Sequence, residues 1–336
     1  MFHSPLPRTL EAAVRDLGEK KPEVRASAVR DLAKHAETDR ERVVQGLERA
    51  LSDAHALVRA TAAETLGALE ARESLPKLLV AVEDEHQLVR QNAILALGEL
   101  GDSRAQQRLQ RALADSRPEV RFQAVMAFAR VASSRDDALD ALVTATEDED
   151  ETIAHIAFRM AEELDDGEVD EKILLRAREC LASEKPRVRA VAAVLLAGAG
   201  EAAADDVIAE MVAGKLKTPE VADVARAIEL AGERSIDKTR RALERRAFGG
   251  VLGFAADPFQ WHARVALARM GDPRAKKAIL AELGASSFAR RTLAVSAAGR
   301  ALLSEARPTL LAMRDRPDQA EPSAVDAALE LLKGAS

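Results

Sequence analysis

Residues 74–101 read SLPKLLVAVEDEHQLVRQNAILALGELG, two apolar segments separated by a polar break at positions 84–87. In the second segment, Val89, Ala93 and Leu97 recur at the spacing of one helical face. Pro76 near the start of the first segment and Gly101 after the second are typical of helix ends. The stretch therefore predicts two antiparallel helices joined by a short turn.

The same pattern returns along the chain around a Val-Arg pair. Strong copies place the arginine at Arg25, Arg59, Arg90, Arg121 and Arg189, and weaker copies align at Ala154, Ala222, Gln260, Arg291 and Ala324. Successive copies lie 31 to 38 residues apart, within the range that marks a solenoid of stacked units. The sequence predicts an all-α solenoid of about ten helix pairs. It would form a single domain over residues 1–336, with an irregular longer repeat around 235–271.

Three copies also carry an aspartate six residues before the arginine, in the pairs Asp53 and Arg59, Asp84 and Arg90, and Asp115 and Arg121. On these residues the chain resembles the HEAT-repeat family in its short bacterial, PBS-lyase-like form. The resemblance implies a right-handed superhelix in which the aspartates and arginines form a structural ladder between successive repeats. Ala154 departs from the pattern, so Asp148 is expected to have lost its ladder partner.

The composition limits the class of protein. Hydrophobic residues make up 47% of the chain but aromatic residues only 3%, so the core must be built from Ala, Leu and Val. A net charge of −7 argues against binding nucleic acid through bulk charge. Cys180 is the single cysteine, which excludes an internal disulfide and favours a buried thiol. We expect a cytoplasmic protein without membrane insertion, because no signal peptide or membrane-spanning run is evident.

Motifs of catalysis and cofactor binding are missing from the sequence. None of the six histidines is followed by glutamate, as the HExxH zinc motif and the His-Glu pairs of deoxyhypusine hydroxylase-like HEAT enzymes require. The glycine-rich stretch 248–254 lacks the spacing of a nucleotide-binding loop. We therefore expect no enzyme, no cofactor and no metal, with a bilin-lyase-like or other HEAT-type enzyme kept as an alternative.

Large apolar residues occupy positions of the second helices that the resemblance places on the concave surface. They are Ile94, Leu95, Phe122, Met126, Ile156 and Phe158, and Trp261 in the irregular repeat provides a second candidate anchor. Contiguous exposed apolar groups usually mark interaction surfaces, and methionine suits an adaptable groove. The alternative is that the solenoid buries these side chains between its helices. The sequence thus favours a scaffold or adaptor that holds a partner protein or peptide, of unknown identity, in its concave groove.

Charge is segregated along the chain. Residues 136–171 contain fifteen acidic side chains. Basic residues dominate 234–300, and the candidate basic patch comprises Lys238, Arg241, Arg245, Lys276, Lys277, Arg290 and Arg291. Such asymmetry can orient a partner. It also leaves open an alternative function, a nucleic-acid-binding HEAT-like protein that uses the basic 234–300 region.

Overall fold

The computed structural model describes residues 8–164, 169–217, 220–249 and 257–334. Within these ranges the regular structure is entirely helical, which confirms the predicted all-α solenoid class. The chain divides into two compact units, Met1–Ile173 and Leu174–Ser336. The single continuous domain over 1–336 stays a prediction.

The first unit consists of five helix pairs. Their bounds are α1 (Leu10–Asp16), α2 (Pro22–Ala33), α3 (Arg40–Ala50), α4 (Ala56–Ala68), α5 (Leu75–Ala81), α6 (Gln87–Leu100), α7 (Gln106–Ala112), α8 (Pro118–Val131), α9 (Arg135–Ala145) and α10 (Glu151–Glu163). Each even-numbered helix packs on the helix before it and on the even-numbered helix of the neighbouring pair. The even-numbered helices therefore form one continuous layer, called here the second-helix layer.

The second unit has the same organisation. Its helices are α11 (Glu171–Cys180, which contains the boundary), α12 (Pro186–Gly198), α13 (Asp205–Val212), α14 (Val221–Glu233), α15 (Arg240–Phe248), α16 (Gln260–Arg269), α17 (Pro273–Glu282), α18 (Phe288–Arg300), α19 (Arg307–Arg314) and α20 (Pro322–Lys333). The irregular repeat predicted around 235–271 contains α15 and α16. Most of its glycine-rich stretch, residues 250–256, lies outside the described residues.

Local sequence sets the helix ends. Pro118 occupies the first turn of α8, where its missing N–H leaves no intrahelical bond unmade. His86 caps α6, since its Nδ1 accepts the Leu88 N–H at 3.3 Å. Gly101 ends α6 in the left-handed region at φ +61°, which glycine adopts without steric cost. These ends give each pair its short turns.

Small residues bring the second helices close together. A Cβ added at Gly67 would lie 2.8 Å from the Cα of Ala96, and one added at Gly98 would lie 3.0 Å from the Cα of Ala127. Real Cβ atoms do not approach backbone so closely, so α4, α6 and α8 can stack at this spacing only with glycine at the crossing points. The alanine-rich composition thus serves close helix packing.

An arginine ladder joins successive pairs of the first unit. The arginine is the fourth residue of its helix, and its Nε and Nη2 donate to both carboxylate oxygens of the aspartate in the following turn. The rungs are Arg25–Asp53, Arg59–Asp84, Arg90–Asp115 and Arg121–Asp148. Each arginine also donates to a carbonyl of its own turn, as Arg59 does to Asp53 at 2.9 Å.

The expectation that Asp148 has lost its partner is wrong. Arg121 of the preceding repeat donates to both of its carboxylate oxygens, at 2.7 and 2.8 Å. The rung runs forward from arginine to the next aspartate, so Ala154 removes the rung after Asp148 and leaves the one before it intact.

The second unit replaces this ladder with other contacts. Arg189 donates to the Leu181 carbonyl and pairs with Glu210 at 2.9 Å. Arg291 donates to the carbonyls of Ala285 and Gln319 at 2.8 and 2.5 Å. Both are the fourth residue of their helix, the ladder position, so arginine keeps its bridging role there with different acceptors.

Candidate functional site

An open depression of about 320 Å³ lies in the second-helix layer of the first unit. Helices α8 and α10 border it at their amino-terminal turns and α6 adds one residue from its second turn. It is called here the α8 depression. Its lining residues are Gln91 of α6, Pro118, Glu119, Phe122 and Gln123 of α8, and Asp150, Thr152 and Ile153 at the start of α10. Phe122 is half-buried, so its ring presents an apolar surface within a partly polar rim.

Phe122 and three further predicted groove residues are only partly covered. Leu95, Met126 and Ile156 are half-buried on α6, α8 and α10. They occupy neighbouring helices of one layer, as the repeat register predicts. Their exposure is compatible with partner binding, which stays a prediction for all four residues.

Ile94 and Phe158 are wrong as groove residues. Both side chains are 0% exposed and belong to the core. α6 packs against its own first helix and against α4 and α8, and α10 packs against α9 and α8, so these neighbours cover a broad arc of each helix. Ile94 lies four residues after Arg90 and Phe158 four residues after Ala154, which occupies the same repeat position, and both fall inside that covered arc.

The rim of the α8 depression is acidic. Glu119 is exposed in the first turn of α8. Asp150 caps α10, where a carboxylate oxygen accepts the Thr152 N–H at 2.7 Å. The ladder cation of α8, Arg121, is already paired with Asp148 at 2.7 Å. No lysine, arginine or histidine is among the lining residues.

Hydrogen bonds favour the charged forms of the ladder residues next to this depression. Burial opposes ionisation of Asp84, but hydrogen bonds from Arg59 and from the His86 N–H outweigh it and keep the pKa of Asp84 below its usual value. The hydrogen bond to Asp84 in turn raises the pKa of Arg59. The ladder side chains are only 10–15% exposed. The donors of these arginines are therefore largely engaged within the ladder, and a purely structural role for them stays a prediction.

Trp261 lies at the start of α16 and is half-buried. The Arg264 guanidinium stands 5.4 Å from its ring centre, in a cation–π contact. Burial lowers the pKa of Arg264, whose Nε donates to the Ala247 carbonyl at 3.3 Å. The indole therefore packs beside a desolvated cation, and its role as a second anchor stays a prediction.

The structure divides the candidate basic patch between two helix layers. Arg241 and Arg245 are exposed on α15 and Lys276 and Lys277 lie on α17, both first helices. Lys238 pairs with Asp206 at 2.6 Å, and Arg290 pairs with Glu282. Arg291 donates to the carbonyls of Ala285 and Gln319, and the basic patch stays a prediction.

A charge network in the second unit was missed by the sequence reasoning. Glu229 of α14 accepts a hydrogen bond from Arg300 of α18 and lies 3.9 Å from His262 of α16. Arg226 pairs with both Glu229 and Glu233 at 3.2 Å. The signal was present in α14, where charged residues at 226, 229 and 233 share one helical face.

The remaining candidate features are the single cysteine, a metal site and a membrane-spanning helix. Cys180 is 4% exposed, as expected for a small core residue. In the part of the chain that the structure describes, no three His, Cys, Asp or Glu side chains are grouped so that they could hold a metal ion. None of the helices in the described ranges is both long and apolar enough to span a membrane.

Comparison with known proteins agrees with this architecture. Residues 6–86 and 75–162 match the sequence profile of HEAT repeats. The Escherichia coli protein YibA is similar in structure, with a TM-score of 0.57 and 18% identity over 79% of this chain and 93% of YibA. A crystal structure of importin beta gives a TM-score of 0.52 and 14% identity over 97% of this chain and 51% of importin beta. At these identities the likeness shows the fold alone.

A third structure is more distant in shape. The complex of CpcE and CpcF of phycocyanin lyase from Nostoc sp. is 22% identical over 73% of this chain and 96% of that chain, with a TM-score of 0.43. That score is too low to support an argument about function. No curated protein matches the chain.

Proposed function

We propose that this chain, a HEAT-repeat protein over residues 6–162, is a non-catalytic scaffold that binds a partner protein through the second-helix layer of its first unit. The observation that carries the proposal is the half-buried ring of Phe122 in the α8 depression. Apolar side chains of a partner would displace water from this ring, and the surrounding polar groups would orient them. Leu95, Met126 and Ile156 extend the apolar contact to the neighbouring helices.

The proposal follows from how the repeats are held together. The arginine ladder links the repeats that contain α6, α8 and α10, and the close contact of Gly98 with Ala127 sets the distance between α6 and α8. A preformed surface loses little conformational entropy on association. Most of the free energy gained by burying the side chains at its centre is therefore available for affinity, as at interface hot spots.

The test is affinity capture from native lysate with the wild type and with a Phe122→Asp/Met126→Asp double variant, each with and without nuclease. We expect the wild type to retain a protein that the double variant loses, with no effect of nuclease. The control replaces two exposed apolar residues elsewhere, Val80→Asp and Val221→Asp, which are 70% and 69% exposed. The control should capture as the wild type does.

Phe122 is partly buried, so a folding defect has to be separated from a binding defect. Thr152→Arg alters only an exposed rim residue and would obstruct the α8 depression without entering the core. Circular dichroism melting should show it to be as stable as the wild type, while capture is lost. Undiminished capture by both the rim variant and the double variant would reject the proposed surface.

A further inference from the structure

The α8 depression combines an apolar floor with a rim of one charge sign. Phe122, Pro118 and the buried Ile153 form the apolar part. Glu119 and Asp150 provide the charges, and the remaining lining groups, the Gln91 and Gln123 amides and the Thr152 hydroxyl, are neutral. A ligand that fills the depression meets two carboxylates and no cation.

The helix ends at this site do not cancel the negative charge. Each helix amino terminus carries the equivalent of about half a positive charge, so α8 and α10 together offset about one of the two carboxylates. Glu149, which is 89% exposed, lies one residue before Asp150 and adds a negative charge, and the exposed Arg117, one residue before Pro118, adds a positive one. Arg121 is 3.5 Å from Glu149 but is already bound to Asp148 through two hydrogen bonds. The rim keeps a net negative potential.

The charge of the whole unit has the same sign. Residues 1–173 contain 23 Lys and Arg against 35 Asp and Glu, a net charge of −12. A basic segment that approaches is therefore attracted by the whole unit at long range and by the rim at short range. An acidic segment or a phosphate backbone is repelled at both distances.

Building on the proposed function, we propose that the partner presents a basic amphipathic segment to the α8 depression. An apolar side chain of that segment packs on Phe122, and lysine or arginine residues flanking it face Glu119 and Asp150. Complementary charge sets the orientation and speeds the association, while the apolar contact supplies most of the affinity.

The experiment selects peptides from a displayed library of random 12-residue sequences on the full-length wild type, with the Phe122→Asp/Met126→Asp variant for counter-selection. We expect the enriched sequences to hold an apolar residue flanked by lysine or arginine. The best enriched peptide is then titrated by fluorescence anisotropy against wild type and a Glu119→Gln/Asp150→Asn variant. Asparagine retains the capping oxygen at position 150, so α10 keeps its start.

The neutralised rim variant should bind that peptide about fivefold more weakly at low salt, as expected for two exposed charge pairs. This difference should vanish at about 1 M salt, where screening is nearly complete. The matched control, Glu19→Gln/Glu37→Gln, removes two exposed carboxylates elsewhere in the first unit and should bind within twofold of the wild type.

The outcomes separate this inference from the proposed function. Enriched peptides that need Phe122 but are acidic or uncharged would overturn the basic segment and leave the groove in place. Equal affinity of the wild type and the neutralised rim variant would also overturn it. A library in which no peptide depends on Phe122 would overturn the inference. If capture by Thr152→Arg and by Phe122→Asp/Met126→Asp were also unchanged, the proposed function would be rejected as well.

Discussion

Arg90 shows what one side chain contributes to the stacking of repeats. Its Nε and Nη2 donate to the two carboxylate oxygens of Asp115 at 2.8 and 3.0 Å, and its Nη1 donates to the Asp84 carbonyl at 3.0 Å. The planar guanidinium therefore holds its own turn and the next one together. Lysine has a single ammonium group and cannot reproduce this fork.

We expect Arg90→Lys to lower the free energy of unfolding by about 1–2 kcal/mol, because charge-assisted hydrogen bonds in a mostly buried place are lost. Urea denaturation followed by circular dichroism measures the change. The control, Arg108→Lys, alters the exposed pair with Glu83 and should change the free energy by less than about 0.5 kcal/mol. Equal effects of the two substitutions would show that the rung contributes no more than a surface pair.

His262 gives the second unit a defined response to pH. Burial and the nearby Arg300 lower the pKa of His262 from its usual 6.5, against the opposing effect of Glu229. The unfolded chain then binds a proton more readily than the folded one as pH falls below about 6.5. This contribution to stability is therefore complete above pH 6.5 and is lost on acidification.

We expect the melting temperature of the wild type to fall more between pH 7.5 and pH 5.5 than that of a His262→Gln variant. Glutamine stays neutral throughout this range, so the stability of the variant does not depend on protonation at position 262. Differential scanning fluorimetry at both pH values gives the comparison. A variant whose melting temperature falls as far as that of the wild type would show that folding does not lower the pKa of His262.

At the scale of the helix, glycine position matters more than glycine content. A Cβ at Gly98 would lie 2.8 Å from the Ala127 Cβ and 3.0 Å from its Cα, whereas none of the described atoms comes within 4 Å of a Cβ added at Gly198. Gly98 lies in the last turn of α6 against Ala127 of α8, and Gly198 lies at the exposed end of α12. The same residue type thus has a packing role at one place and none at the other.

We expect Gly98→Val to destabilise the protein by about 2–3 kcal/mol, because α6 and α8 must move apart to admit the side chain. Gly198→Ala should be neutral or stabilise by about 0.5 kcal/mol, since it restricts the unfolded chain without a clash. Urea unfolding of both variants gives the comparison. A mild effect of Gly98→Val would mean that the two helices can separate at little cost.

Helix type, length and order could be predicted from the sequence, because apolar spacing and end residues are local properties. The turn and helices expected over 74–101 are present as α5 and α6. Groove exposure was harder to predict: Leu95 is half-buried and its neighbour Ile94 is fully buried. The two positions differ by about 100° around the helix, and the width of the covered arc depends on how closely the neighbouring helices approach.

The α8 depression itself could not be derived from one repeat. It forms where Asp150 and Thr152 of α10 come beside Phe122 of α8, so it depends on the stacking of successive pairs. The ladder direction has the same origin, because each arginine binds the aspartate 25 to 28 residues further along the chain. Sequence spacing within one repeat suggested the six-residue pairing instead.

At the scale of the whole molecule, the two units carry opposite charge. Residues 1–173 have a net charge of −12, and residues 174–336, with 26 Lys and Arg against 21 Asp and Glu, have a net charge of +5. A polyanion should therefore contact only the second unit, through exposed cations such as Arg241 and Lys277. A basic segment should contact only the first. The overall charge of −7 does not reveal that the two units have net charges of opposite sign.

We expect the wild type to be retained weakly on heparin and to elute below about 150 mM salt, because a handful of phosphate-like contacts loses affinity steeply as salt rises. Lys276→Glu/Lys277→Glu should abolish this retention without changing partner capture, since α17 lies in the first-helix layer of the other unit. Phe122→Asp/Met126→Asp should abolish partner capture and leave the retention on heparin unchanged. Retention that persists at 0.5 M salt, or partner capture that fails in the Lys276/Lys277 variant, would instead make the basic region part of the binding function.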